Sequence, residues 1–125
     1  GRMKFWLICG AVFGGLSVAL GAFGAHALKN TLDAYGRDIY EKAVLYQMFH
    51  ALALLAVGVL HKLFPQLNWH IAGWSFSAGI VLFSGSLYVL AVSGAKWLGA
   101  VTPFGGIAFL AGWVWLLYNV FKISE

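Results

Sequence analysis

Four long apolar runs follow one another along the chain, separated by short stretches that hold most of the charged residues. A helix needs about 20 predominantly apolar residues to cross the hydrocarbon core of a bilayer. The runs therefore predict an all-α, integral membrane bundle of four transmembrane helices, formed by a single membrane domain of residues 1–125. The approximate spans are 5–28, 43–60, 69–92 and 97–121.

The first run resembles a secretory signal peptide at both of its ends. Arg2 and Lys4 precede it, and the tripeptide AHA at residues 25–27 imitates a small-residue cleavage site. The apolar part of a signal peptide is about 7–15 residues long, however, and the run over residues 5–28 is longer. We therefore expect this segment to be an uncleaved first helix.

Residues 31–42, ahead of the second span, have the pattern of an amphipathic helix that lies at the membrane interface. An apolar stripe recurs there at spacings of three and four, as one face of a helix requires; it consists of Leu32, Tyr35, Ile39 and Ala43. The charged residues of the segment are Asp33, Arg37, Asp38, Glu41 and Lys42. Within this segment, Gly36 is the position at which a bend is expected.

The two later connections are short and contain helix-terminating residues. Pro65 ends the second helix, and Asn68 can cap the third. Residues 93–96 leave room only for a tight turn, so the third and fourth spans must be antiparallel neighbours. Proline is tolerated in the first turn of a helix, so Pro103 predicts that the regular part of the fourth helix starts near Thr102.

Composition favours a lipid environment over water. Charged residues make up 10% of the chain, hydrophobic residues make up 62%, and the mean hydropathy is +0.84. A soluble domain carries about 25% charged residues. The net charge of +4 comes from basic residues that stand singly and form no patch, so no nucleic-acid partner is expected. With four spans the eight Lys and Arg residues divide equally between the two sides, and the positive-inside rule assigns no orientation.

Small residues form a stripe along the first span. Successive members are four, three, four and three positions apart, which places them on one helix face; they are Gly10, Gly14, Ser17, Gly21 and Gly24. Small side chains let helix backbones approach closely in lipid, where packing drives association. The stripe therefore predicts a helix-packing seam, and Gly105, Ala108 and Gly112 form a weaker counterpart in the fourth span.

Polar side chains in all four spans are expected to lie in the same half of the bilayer. When residues are counted inward from the charges of the first and third connections, at about 1.5 Å each, the depths of His26, His50, Ser86 and Thr102 differ by about 10 Å at most. The polar side chains are His26, Tyr46, Gln47, His50, Ser84, Ser86, Tyr88 and Thr102. The spacing of Tyr46, Gln47 and His50 allows them to share one face, and the opposite half of the bilayer is expected to be almost wholly apolar.

The sequence leaves three interpretations of this polar layer open. The first is an interhelical hydrogen-bond layer that fixes packing. The second is a ligand site or proton pathway built on His26 and His50, because ionisable groups inside a membrane are often functional. The third interpretation is a metal or haem site that uses both histidines. Their depths differ and no carboxylate lies inside a span, so we assign no metal ligand, no cofactor and no catalytic residue.

Four motifs carry a resemblance to a known family. GAFGAHAL begins at Gly21, YQMFHALALL at Tyr46, FSGSLYVL at Phe83 and VTPFGGIAFLAGW at Val101. In this order they resemble the YgdD/YwdK family of small bacterial inner-membrane proteins, which is related to a small transmembrane protein of animals. The resemblance implies a multi-pass protein of the bacterial inner membrane and implies no chemistry, because the function of the family is unknown.

Two classes of function follow as expectations. The first is a small helical module that binds a membrane-protein partner or a small ligand through the polar layer near one membrane face. The alternative is a small proton-linked transporter or channel that acts as an oligomer, since four helices leave little room for a pathway. No hydrolase, phosphate-loop, zinc or nucleotide motif is present, so an enzyme ranks below both. The expected partners are the lipid bilayer, a membrane protein or a second copy of the chain.

Overall fold

The computed structural model describes residues 1–125 and consists of helices and their connections, with no strand. Helix α1 covers Arg2–His26, α2 covers Ala34–Leu63, α3 covers His70–Ser93 and α4 covers Thr102–Phe121. Each helix, with the short turn before α4 included, is long and apolar enough to cross a membrane. The predicted all-α bundle with four membrane-spanning helices is confirmed.

Helix α2 begins later than expected and then runs without interruption. Its first turn is capped by Asp33, whose Oδ1 accepts a hydrogen bond of 2.7 Å from the Gly36 backbone N–H. The expected bend at Gly36 is wrong, because the helix continues through it to Leu63. Gly36 instead leaves room for the cap and for α3, since a Cβ atom there would lie 3.1 Å from Asp33 Oδ1 and 3.4 Å from the Ala91 carbonyl oxygen.

The predicted apolar stripe ahead of the second span is buried at three of its four positions, Leu32, Ile39 and Ala43. Tyr35, an expected member of the stripe, is 64% exposed, whereas Gly36, Ile39 and Tyr40 are buried. The buried face follows Gly36, Tyr40 and Ala43, again at spacings of four and three. Contact of Gly36 with α3 turns this face inward, and the Tyr35 ring is left on the outside.

Helix α3 contains a five-residue π-helical segment, Ile80–Ser84, which the sequence pattern did not predict. A π turn widens the helix locally and is often found at functional sites. Here it lies where α3 meets both neighbours: Ser84 Oγ donates a 2.8 Å hydrogen bond to the Ala43 carbonyl of α2, and the backbone of Phe83 packs on Gly105 of α4.

A 3₁₀ turn, Lys96–Ala100, connects α3 to α4. Gly94 ends α3 in the left-handed conformation, with φ of 72°, which glycine adopts without a steric penalty. Helix α4 then begins at Thr102, with Pro103 in its first turn, where the missing N–H of proline has no helical partner to lose. The helix start agrees with the position expected from Pro103.

The small-residue stripe of α1 faces α2. Its members are buried or half-buried, and added Cβ atoms would meet Leu55 at Gly10, Val44 at Gly21 and the Tyr40 ring at Gly24. Ser17, on the same face, is buried and donates its hydroxyl hydrogen to the Gly14 carbonyl over 2.7 Å. In α4, Gly105 and Gly112 contact Phe83 and Phe76 of α3.

Both chain termini lie at the same end of the bundle. Trp6, near the start of α1, donates its indole N–H to Nδ1 of His70 at the start of α3 over 2.8 Å. Asn119, near the end of α4, donates to the Asn68 carbonyl over 2.6 Å. The start of α1, the α2–α3 connection and the end of α4 therefore share one end, and the two other connections share the opposite end.

We expect single cysteines at Lys4 and Ser124, in a Cys9→Ala background, to react with a membrane-impermeant thiol reagent from the same side of the membrane. The physical reason is that an even number of spans returns the chain to its starting side. Labelling from opposite sides in oriented vesicles would contradict the four-span topology. A cysteine at Lys96 provides the control, because it should react from the other side.

We also expect Gly105→Ala to destabilise the protein by about 1–3 kcal/mol, the usual result of overpacking. The new Cβ would overlap the backbone of Phe83, which cannot move as a side chain can. Gly106→Ala is the matched control, because a Cβ at the next position meets nothing within 4 Å. Denaturation by increasing mole fractions of SDS measures both variants, and equal stabilities would refute the close α3–α4 contact.

Candidate functional site

A layer of hydrogen-bonded polar side chains extends from Gln47 and His50, near the middle of α2, to Thr102 at the start of α4. It separates an apolar cluster that includes Leu54 and Phe76 from a second cluster that includes Ile39 and Leu87. Buried polar groups need partners, because water is absent from the hydrocarbon core.

Gln47 connects three helices within this layer. Its side chain is only 3% exposed. The amide Nε2 donates to the Phe13 carbonyl of α1 over 2.9 Å, and Oε1 accepts from the Tyr88 hydroxyl of α3 over 2.7 Å. The bond to Phe13 depends on the close approach of α1, since it reaches a backbone atom.

Hydroxyl groups connect α3 to α4. Ser86 Oγ and Thr102 Oγ1 are 2.6 Å apart, and Ser86 Oγ also lies 3.0 Å from the Phe83 carbonyl. A hydroxyl has one hydrogen to donate, so a chain that runs from Thr102 to Ser86 and on to the Phe83 carbonyl satisfies both short contacts. The bond from Ser84 to Ala43 joins the π segment to α2, and the chain from Thr102 to the Phe83 carbonyl joins it to α4.

His50 is buried, and its partners define its protonation. Nδ1 lies 2.7 Å from the Tyr46 carbonyl, which can only accept, and Nε2 lies 3.0 Å from the Trp113 indole nitrogen, which can only donate. Both contacts are hydrogen bonds only if the imidazole is neutral with its hydrogen on Nδ1. The ring also stacks on Phe109, with 3.6 Å between ring centroids.

Tyr46 shares a face with His50, as expected, since their ring centroids are 6.3 Å apart in a stacked arrangement, but it is not buried with Gln47. It is 40% exposed, and its ring stacks on Phe83 with 4.6 Å between centroids. Gln47 must face α1 and α3, and its immediate neighbour Tyr46 is therefore turned about 100° away from it.

His26 also lies outside the layer, contrary to expectation. It is the last residue of α1, and it is exposed in a groove at the end of the bundle that holds the first connection. Gly24 faces α2, and two further residues rotate the chain by about 200° around the helix. The contact of Gly24 with Tyr40 thus directs His26 away from the packed seam.

The opposite end of the bundle is more polar than expected. Besides the pair Trp6 and His70, the Asn68 carbonyl accepts hydrogen bonds from Trp115 and from Asn119, which is 1% exposed. Each buried indole N–H needs a hydrogen-bond partner. The tryptophans were therefore the feature of the sequence that pointed to this cluster. No sequence pattern predicts the burial of Asn119, because its partner is a backbone carbonyl, a group that every residue has.

An apolar groove of about 860 Å³ runs beside the polar layer, between α2 and α4. We call it the α2–α4 groove. Its aromatic wall includes Tyr46, Phe49, Phe83 and Trp113. Gly106 also lines it, and a Cβ at this position would meet no heavy atom within 4 Å, so the groove is open there.

A second groove, of about 700 Å³, lies between the end of α1 and the start of α2, and we call it the α1–α2 groove. It contains His26, Lys29, Arg37 and Glu41 among apolar side chains. His26 and His50 therefore line different grooves, and the structure brings no three metal-ligating side chains together.

We expect Gln47→Leu and Tyr88→Phe to be coupled in stability by about 0.6 kcal/mol and at most about 1.7 kcal/mol, the range for hydrogen bonds between membrane helices. Gln47→Leu also removes the hydrogen bond to Phe13, so this single variant does not measure the Gln47–Tyr88 bond alone. A double-mutant cycle in SDS denaturation isolates that bond. Tyr118→Phe is the control for loss of a hydroxyl at an exposed position. Zero coupling would show that the Gln47–Tyr88 bond contributes nothing.

Comparisons with known proteins place the chain among membrane proteins. A family described as "Protein of unknown function (DUF423)" matches residues 20–106. A "UPF0382 membrane protein" of Staphylococcus saprophyticus is 46% identical over 97% of this chain and 100% of its own length. One of Staphylococcus haemolyticus is 46% identical over 96% of this chain and 98% of its own length.

A further "UPF0382 membrane protein", from a bovine strain of Staphylococcus aureus, is 44% identical over 98% of this chain and 99% of its own length. No solved structure matches the chain. The resemblance seen in the four motifs is thereby confirmed. The chain belongs to this family of small bacterial membrane proteins, whose function is unknown.

Proposed function

We propose that the protein is a small binding module of the bacterial inner membrane that holds the hydrocarbon part of a membrane-resident small molecule in the α2–α4 groove. The observation that carries the proposal is the groove itself, which is open and aromatic beside a layer of paired polar groups. The inner membrane is proposed because the four sequence motifs resemble proteins of that membrane.

The dimensions and walls of the groove suit a small molecule. Ligand pockets have volumes of about 300–1,000 Å³ and mainly hydrophobic and aromatic walls, and the groove has about 860 Å³. A bare glycine, Gly106, lets a ligand approach the backbone of α4. The exposed ring of Tyr46 offers a flat apolar surface for contact.

The depth of the groove favours an apolar occupant. His50, which lines it, is eight residues beyond Lys42 along α2, or about 12 Å along the helix axis. The hydrocarbon core is about 30 Å thick, so this part of the groove lies well inside it. Since both His50 nitrogens already have partners, the groove recognises its ligand by shape and aromatic contact.

The hydrogen bonds around His50 favour binding over the alternative, proton-linked transport. A proton pathway needs His50 to take up a proton on Nε2. That proton would oppose the Trp113 indole N–H across 3.0 Å, since both groups would then be donors. The same bonds fix the rings that form the groove wall, which preorganises the groove for a ligand.

To test the proposal, we would reconstitute the chain with phosphatidylcholine that carries a photoreactive diazirine at its tail and map the cross-links by mass spectrometry. We expect groove positions such as Phe49 and Ile107 to react more than Val12 and Leu16 on the outer face of α1. Gly106→Leu should reduce groove labelling severalfold, because its side chain would occupy groove volume and its Cβ meets no heavy atom within 4 Å.

Gly15→Leu is the matched control, because Gly15 also has nothing near its Cβ position and lies outside the groove. It should leave groove labelling unchanged. If both leucine variants are labelled like the wild type, bulk lipid contact explains the labelling and the proposal fails. A cross-link from Ile107 to a protein would instead assign the groove to a membrane-protein partner or a second copy of the chain.

A further inference from the structure

We infer that the ligand is an anionic lipid whose phosphate lies in the α1–α2 groove while one hydrocarbon tail occupies the α2–α4 groove. The inference rests on the proposed function and names the class of its ligand. It starts from the charges of the α1–α2 groove and from the residue that lines both grooves.

The α1–α2 groove carries more positive than negative charge. Lys29 and Arg37 line it together with a single carboxylate, that of Glu41. The one ion pair of the structure, between Lys42 and Asp38 at 2.9 Å, does not line the groove. Neither basic side chain of the groove is therefore neutralised by an ion pair, which suits an anionic group.

Arg37 also fixes the shape of this groove. Its Nη2 donates to the Lys29 carbonyl over 2.9 Å and so ties the first connection to α2. A guanidinium group has five N–H donors, so further donors remain for a phosphate. The exposed imidazole of His26 adds another polar group at the same rim.

The two grooves meet at one residue. Leu45 lines both of them, and it lies four positions after Glu41 and four before Phe49. Residues at this spacing form one stripe on a helix, so the path along α2 changes from charged to aromatic without crossing to another face. The exposed side chain of Leu45 therefore borders both grooves.

The length of this path matches one leaflet of the membrane. Arg37 and Phe49 are twelve residues apart, or about 18 Å along the helix axis. Half of the hydrocarbon core is about 15 Å thick. The combined groove therefore runs from the interface to the middle of the bilayer, with its charges at the interface and its aromatic rings within the core.

The apolar side chains of the α1–α2 groove favour a lipid over a free anion. Leu28, Leu32, Val44 and Met48 line it beside the basic residues. A hydrated phosphate ion gains nothing from such neighbours. The glycerol region and upper tail of a lipid would cover them while the phosphate contacts Lys29 and Arg37.

The test compares phosphatidylglycerol with phosphatidylcholine of identical tails, bound to the full chain in detergent and quantified by native mass spectrometry. We expect the wild type to prefer the anionic lipid. Lys29→Gln should weaken that preference about fivefold, the effect of one basic residue on attraction to anionic lipid. Lys96→Gln is the matched control, because Lys96 is exposed at the same end of the bundle and outside both grooves.

Equal effects of Lys29→Gln and Lys96→Gln would overturn the inference. If Gly106→Leu still weakens both lipids in that case, the tail-binding groove stands and only the anionic head group is wrong. If Gly106→Leu weakens neither lipid, the proposed function fails and the inference fails with it. Displacement of phosphatidylglycerol by millimolar inorganic phosphate would assign the α1–α2 groove to a free anion and would also overturn the inference.

Discussion

Close approach of helix backbones at small residues is the constraint on which this structure depends. In a bilayer the hydrophobic effect does not drive helices together, because lipid tails are as apolar as the side chains that would be buried. Close packing of helices replaces the hydrophobic effect here. It joins α1 to α2 at Gly10 and Gly24, and α3 to α4 at Gly105. The polar layer follows from these contacts, since Gln47 reaches the Phe13 carbonyl only because α1 lies close to α2.

The paired polar layer and the two grooves have complementary roles. The layer satisfies Gln47, His50 and Ser84 within the chain, so these residues determine how the helices meet. The exposed grooves lie beside the layer, where Tyr46 and Gly106 line one groove and Lys29 the other. The proposed binding surfaces are therefore separate from the paired polar groups of the interior.

The π segment of α3 links packing to the site. It lies between the two apolar clusters, and Phe83 within it both packs on Gly105 and lines the α2–α4 groove. Movement of this turn would change a helix contact and a groove wall together. The groove shape therefore depends on the same backbone contact that holds α4 in place.

The sequence by itself determined the environment, the number of spans, the small-residue seam and the start of α4 at Thr102. Each of these depends on local properties: the length of an apolar run, the periodicity of glycines and the restriction that Pro103 imposes. The sequence also indicated several of the polar residues that pair in the bundle, among them Gln47, His50 and Ser86, because a polar side chain within a span needs a partner.

Apart from the small-residue faces of α1 and α4, only the tertiary structure decided which way the helices face. Tyr35, Tyr46 and His26 turned outward, the π segment was unpredicted, and Asn119 was buried without being expected there. In water, the burial of apolar side chains reveals the inner face of a helix. In lipid the outer face is apolar as well, so the sequence pattern carries little information on rotation. The fit of small residues against neighbouring side chains sets the rotation, and the rotation in turn creates the grooves.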